Sequence, residues 1–277
     1  MAIQIRKAQR ARVKARVLTT GPSKAGKTLS SILLAYGMAP NGKVLMIDTQ
    51  NGQGEMYAGV GDIPEYDIID IEPPFETEKF IEAIEYASEQ GYEAIVLDTL
   101  THAWSGPGGL LDLHQKYANR GGNSFTAWSK ITPLHDKLIE TIQMCNAHII
   151  CTGRSKTEYV MDDSSGKTEI KKVGTKTIQR DGIDYEFDFV LSIDRDSHEA
   201  KFEARAYGES TWDNRIQKIT MQTGKEILEW LNTGTVEKPV KVRKAAEPQE
   251  EEPAAPPKRS SSKKAVIEPV TDETESW

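Results

Sequence analysis

The chain has 277 residues, 38% of them hydrophobic and 28% charged, which suits one globular domain of about 200 to 250 residues with a remainder. No apolar run approaches the roughly 20 residues needed to cross a bilayer, so no membrane partner is expected. The net charge of −7 argues against constitutive nucleic-acid binding over the whole surface, because counterion release needs basic groups at phosphates.

In chain order, the opening MAIQIRKAQRARVKARV is basic with no hydrophobic stretch behind it, and it does not read as a secretory signal. The overlapping ARVKARVLTTG predicts a strand, and Arg10 just before it alternates with its Arg12, Lys14 and Arg16 along a solvated face or in contact with phosphates. KTLSSILLAYG predicts a helix ending at Gly37, and KVLMID a short buried strand. YDIIDIE is another candidate strand. TEKFIEAIEYASEQG predicts an amphipathic helix capped by Thr77 and stopped at Gly91. EAIVLDT is a buried strand. TPLHDKLIETIQMC predicts a helix with Thr132 as cap and Pro133 at its first position. AHIICTG is a further buried strand. YEFDFVLSI and HEAKFEARAY predict an antiparallel hairpin, and GKEILEWLN a closing helix. Cys145 and Cys151 have no metal-ligand spacing and read as reduced thiols.

Parallel strands joined by helices imply an α/β three-layer sandwich with a mostly parallel central sheet over residues 1–232. Residues 233–277 are rich in Pro, Ala, Ser and clustered charge, and they read as a disordered tail. Its end, TDETESW, reads either as a solubilising segment or as a short peptide that docks a protein partner.

GPSKAGKT matches GxxxxGK[ST] and lies between an apolar strand and a helix, the context a phosphate-binding loop requires. Gly21, Pro22, Ser23, Lys24, Ala25 and Gly26 would curl so that backbone N–H groups face phosphate oxygens. Lys27 adds a cation at the β and γ phosphates, and the Thr28 hydroxyl suits Mg²⁺. Asp98, ending AIVLD, is the matching acid for Mg²⁺. ATP and Mg²⁺ are therefore the expected ligands. Thr152 and Arg154, ending a further strand, are candidates to sense the γ-phosphate. After KVLMID the chain offers Gln50 where a glutamate would activate water. A glutamine can orient water but is no general base, so slow hydrolysis is expected, with Glu55 as a candidate helper. Gln50 otherwise only caps its strand.

GPSKAGKT, VLMIDTQNGQGEMYA, IVLDTLTHAW, ICTGRSKTEYV and KKVGTKTIQRDGIDYEFDFVLSID together resemble the RecA-like core of phage AAA-family ATPases, among them the single-strand-annealing recombinases. The resemblance spans about residues 15–208. It implies ATP with Mg²⁺, self-association into a ring or filament, and help in annealing single-stranded DNA during recombination. It also implies a cytoplasmic protein of a phage host. The tail, which the resemblance does not cover, is a candidate to engage a protein partner such as a single-strand-binding protein. By the same resemblance, DNA is held by the stretches after Asp98 and after Thr152. The second carries Lys156, Lys167, Lys171, Lys172, Lys176 and Arg180, with DDSSG as a hairpin tip. Trp104, Tyr117 and Tyr159 are stacking candidates, though Trp104 reads better as packing. Arg180 or Lys172 is a candidate to reach a neighbouring subunit's γ-phosphate. The rivals are a non-catalytic ATP switch or loader, which Gln50 would suit, and a small-molecule kinase. A GTPase is disfavoured because no NKxD motif appears.

Overall fold

The computed structural model describes residues 8–120, 123–162, 169–204 and 212–233. The expected tail beyond 233 lies outside them.

Six strands run parallel in the order β3-β2-β4-β5-β1-β7, and antiparallel β8 and β9 extend the sheet. They are β1 (Arg16–Gly21), β2 (Val44–Asp48), β3 (Asp67–Asp70), β4 (Ala94–Asp98), β5 (His148–Asp162), β7 (Phe189–Ile193), β8 (Glu199–Ala204) and β9 (Ile216–Lys218), while β6 (Glu169–Thr177) pairs with β5 alone. The helices are α1 (Lys27–Met38), α2 (Thr77–Glu89), α3 (Leu100–Ser105), α4 (Leu110–Asn119), α5 (Ser124–Met144) and α6 (Met221–Asn232). None of the described helices is long and apolar enough to cross a membrane.

Every residue of β1, β2 and β4 is buried, as continuous apolar strands covered on both faces must be. The two-residue period divides them between two cores. Leu45, Ile47, Ile95 and Leu97 pack with Phe80 and Ile84 of α2 and Leu138 and Ile142 of α5. Val44, Met46 and Val96 pack with Ile32 and Leu34 of α1 and Ile227 and Leu231 of α6. The expected three-layer α/β sandwich is what forms.

The α1–α6 crossing depends on two glycines. A Cβ on Gly224 would lie 2.4 Å from the Leu34 carbonyl oxygen, and one on Gly37 would lie 2.2 Å from that of Met221. Both obstacles are backbone and cannot swing aside. Gly224→Ala should therefore cost about 2 kcal/mol despite alanine's better helix propensity, read as a lower urea midpoint.

Several boundaries differ from expectation. Thr77 is the first helical residue of α2, and Glu76 occupies the cap position. α5 begins eight residues before Thr132 and runs through Pro133; its cap is Asn123, whose side chain accepts from Thr126 N at 2.7 Å. The stretch after Asp98, read as a DNA-holding loop, is largely helical, forming α3 and α4. Trp104 there is buried and stacks on Trp128, so packing is its role. Tyr117 lies under the Lys130 ammonium. The hairpin strand begins at Phe189, not Tyr185, because 183–186 form a 3₁₀ turn. α6 begins at Met221 behind a Thr220–Thr223 capping box, which makes Gly224 an interior residue.

The opening basic run is not one strand. Residues 10–12 form a 3₁₀ turn and β1 starts at Arg16. Arg16 is buried, donating to the carbonyls of Gln143 and Cys145 at the end of α5 and to that of Ala147 in the turn before β5. The first two lack helical partners, so the guanidinium acts as a C-terminal cap. Arg10 instead lies over the Trp230 ring at 4.6 Å.

His148, first in β5, is buried, and its Nδ1 accepts from Ala15 N at 3.0 Å. Burial pushes its pKa down to about 4, helped by the Lys14 and Arg16 cations. The folded imidazole thus stays neutral where the unfolded one takes a proton below about 6.5. Stability should fall by about 3 kcal/mol as pH drops from about 6.5 to 4. His148→Asn keeps an acceptor without the titration, so urea unfolding of that variant should lose this part of the pH slope.

Candidate active site

The sheet order places β5 between β1 and β4, so the C-terminal ends of these three strands meet at one edge. Gly21 ends β1, and a Cβ there would lie 2.7 Å from the Ile193 carbonyl oxygen. The loop then turns through Lys24 at φ 67° and Gly26 at φ 92° into α1. Its N-cap Gly26 offers no side chain to the first N–H groups of α1, and such a helix start favours an anion. Lys27 folds back on its own loop and donates to the Pro22 carbonyl at 2.8 Å. Burial lowers its pKa, Asp98 opposes this, and Arg154 adds to it.

Asp98 is the centre of the site. Its Oδ2 accepts from Thr28 Oγ1 at 2.5 Å. Its Oδ1 accepts from Thr152 Oγ1 at 2.5 Å and from Gln50 Nε2 at 2.7 Å. Burial pushes the carboxyl up from the usual carboxylate range, while the Thr152 and Thr28 hydroxyls and the Lys27 ammonium hold it down. Gln50 also accepts from Arg154 Nη2 at 3.2 Å through Oε1. Its amide therefore bridges a carboxylate and a guanidinium, each at the end chemistry assigns.

The loop after β2 is pinned by Asp48, which accepts from Gln50 N at 2.5 Å and Gly54 N at 3.0 Å. Tyr66 adds a bond to the Gly54 carbonyl. Behind it, Thr49 Oγ1 accepts from Thr99 N at 2.9 Å and lies 2.8 Å from His102 Nδ1. Burial lowers the His102 pKa, and Arg154 lowers it further.

A cavity of about 470 Å³ opens here, walled by Lys27, Thr28, Asp98, Gln50 and Arg154, with Ser23, Lys24 and Gly26 on the loop side. Gln53, Tyr57 and Thr99 complete the wall, and nothing in the sequence singles out any of the three. Glu55, between Gln53 and Tyr57, is exposed and not in the wall. Thr152 is fully buried behind Asp98, and Arg154 stands in the wall.

Thr28 and Asp98 turn hard oxygen atoms toward each other, which fits Mg²⁺, an ion that takes one or two protein oxygens and shares substrate phosphates. No cluster of three or more His, Cys, Asp or Glu among the described residues could hold a metal alone.

β5 continues past the site as a hairpin with β6, pairing Ser155 with Thr177 through Asp162 with Glu169. These strands bracket the expected DDSSG tip, most of which lies outside the described residues. Lys156 is exposed. Lys176 pairs with Asp181 at 2.8 Å and Arg180 with Asp136 at 3.0 Å. Lys167 and the side chains of Lys171, Lys172 and Tyr159 lie outside the described residues.

A family model described as an AAA domain matches residues 13–232, well over half of the chain. A search of the curated proteins finds no match.

Proposed function

The chain belongs to the AAA-domain family of P-loop ATPases, and from that premise we propose that it binds ATP with Mg²⁺ in the cavity above β1, β4 and β5 and hydrolyses it slowly. The observation that carries this reading is the convergence of Thr28, Thr152 and Gln50 on the buried carboxylate of Asp98, beside Lys27.

The α1 N–H groups and the Lys27 ammonium take the phosphates, Lys27 exchanging the Pro22 carbonyl for a phosphate oxygen. Thr28 and Asp98 would hold Mg²⁺, which would supply neutralisation of phosphate charge when bound. Arg154 offers a second cation at the γ end. Gln50 orients water through its carbonyl oxygen while its amide stays on Asp98. No carboxylate of the cavity wall other than Asp98 is present to take the water's proton, hence slow turnover.

The finer reading is a phage-type cytoplasmic ATPase that assists annealing of single-stranded DNA, acting as a ring or filament. It rests on the resemblance and on the lysine-bearing β5–β6 hairpin that leaves the site at Arg154. Any protein partner would engage the tail. ATP hydrolysis measured with and without single-stranded DNA tests it: DNA should raise the rate, and DNA binding should weaken steeply with salt. A second reading, a non-catalytic ATP switch or loader, is favoured by the amide at position 50. Tight ATP binding with no turnover under either condition would select it.

A further inference from the structure

The site described above has a γ end but no assigned nucleoside end. Asp98, Gln50 and Arg154 lie on the β4 and β5 side of the P-loop strand β1. A phosphate chain whose γ end points there must run away from it, toward the other neighbour of β1, which is β7.

The turn after β7 is a built structure. Asp194 Oδ1 accepts from Asp196 N and Ser197 N, both at 2.9 Å, and Ser197 Oγ accepts from Glu199 N at 3.2 Å. Asp194 O accepts from His198 N at 3.1 Å. The turn ends with His198 at φ 58°, a left-handed backbone unusual for a residue with a side chain. That conformation brings the imidazole against the P-loop: Nδ1 lies 3.1 Å from the Ala25 carbonyl oxygen. A carbonyl only accepts, so Nδ1 carries the proton. Nε2 is then an acceptor, and the residue remains exposed. A Cβ on Gly26 would come 3.7 Å from Nδ1, so the ring lies beside the P-loop backbone.

We propose that the β7–β8 turn is the nucleoside wall of this site, with the imidazole of His198 as the surface on which the nucleoside of a nucleotide rests. This rests on the nucleotide-binding reading given above. A ring anchored at one nitrogen offers a fixed aromatic face and one acceptor at little entropic cost.

His198→Asn is the informative variant. Asparagine tolerates the left-handed backbone and can still donate to Ala25, but it has no ring. Calorimetric titration would use ADP and inorganic tripolyphosphate as probes, on the full chain with Mg²⁺. The expected result is ADP binding weakened about five- to tenfold with tripolyphosphate unchanged. Unchanged ADP affinity would overturn the proposal. So would an equal loss for both probes, which would make His198 a support of the loop only. If the wild type bound neither probe, the nucleotide reading itself would fall and this proposal with it.

Discussion

Lys27→Ala lowers ATP turnover by about 100- to 1000-fold, the scale seen when one electrostatic donor is removed from a charge-developing site. The case is geometric. Lys27 is the first residue of α1, its ammonium is partly buried, and it donates to the Pro22 carbonyl of its own loop. Burial already lowers its pKa, so its charge is incompletely solvated and gains from an anionic partner. Alanine at a helix start is well tolerated, and none of the core contacts involves this side chain. The unfolding midpoint should therefore stay near that of the wild type while turnover and ATP affinity both fall. A variant that turned over normally would place the phosphates elsewhere.

Gln50→Glu raises turnover by about 100-fold, the lower end of what a positioned general base contributes. Gln50 already sits at the right place, with its amide 2.7 Å from Asp98 and its carbonyl oxygen 3.2 Å from Arg154. A carboxylate cannot keep the first contact without placing like charges together. It keeps the second, turning from Asp98 toward the guanidinium and the cavity. The variant's rate should also fall at acid pH as that carboxylate protonates, a limb the wild type lacks. Steady-state hydrolysis between pH 5 and 8 reads both effects. A slower variant would mean that Gln50 chiefly buttresses Asp98.

Much of this frame was legible in the sequence because its signals are local. A glycine-rich loop between an apolar strand and a helix, and an acid ending a second apolar strand, each carry their chemistry in a few adjacent residues. The failures came where meaning is non-local. Gly106, Pro107, Gly108 and Gly109 read as loop, and they conceal that short helices stand on either side. Pro133 read as a helix start, although Asn123 was the residue with a capping side chain. Arg16 read as a surface cation because its partners, carbonyls at the end of α5 and in the turn after it, lie about 130 residues away in sequence. His198 belongs to no motif, and Gln53 and Tyr57 lie in a quoted motif without any chemistry to single them out; only the fold brings the three to the P-loop.

The change of partner along β5 has a mechanical consequence. Arg154 is the last β5 residue in register with β1, where it faces Gly21, the first residue of the P-loop. Ser155, the very next residue, is the first in register with β6. Phosphate loop and hairpin arm thus meet at a single fulcrum. From Ser155 to Asp162 the arm is about 25 Å long at roughly 3.3 Å per residue. A tilt of about 5° at that fulcrum would sweep its far end through about 2 Å, more than half the rise of one strand residue. A small tilt passed from the P-loop to the arm would thereby be larger at its far end than at its root, less whatever bending the bulge at Glu158 and Tyr159 takes up.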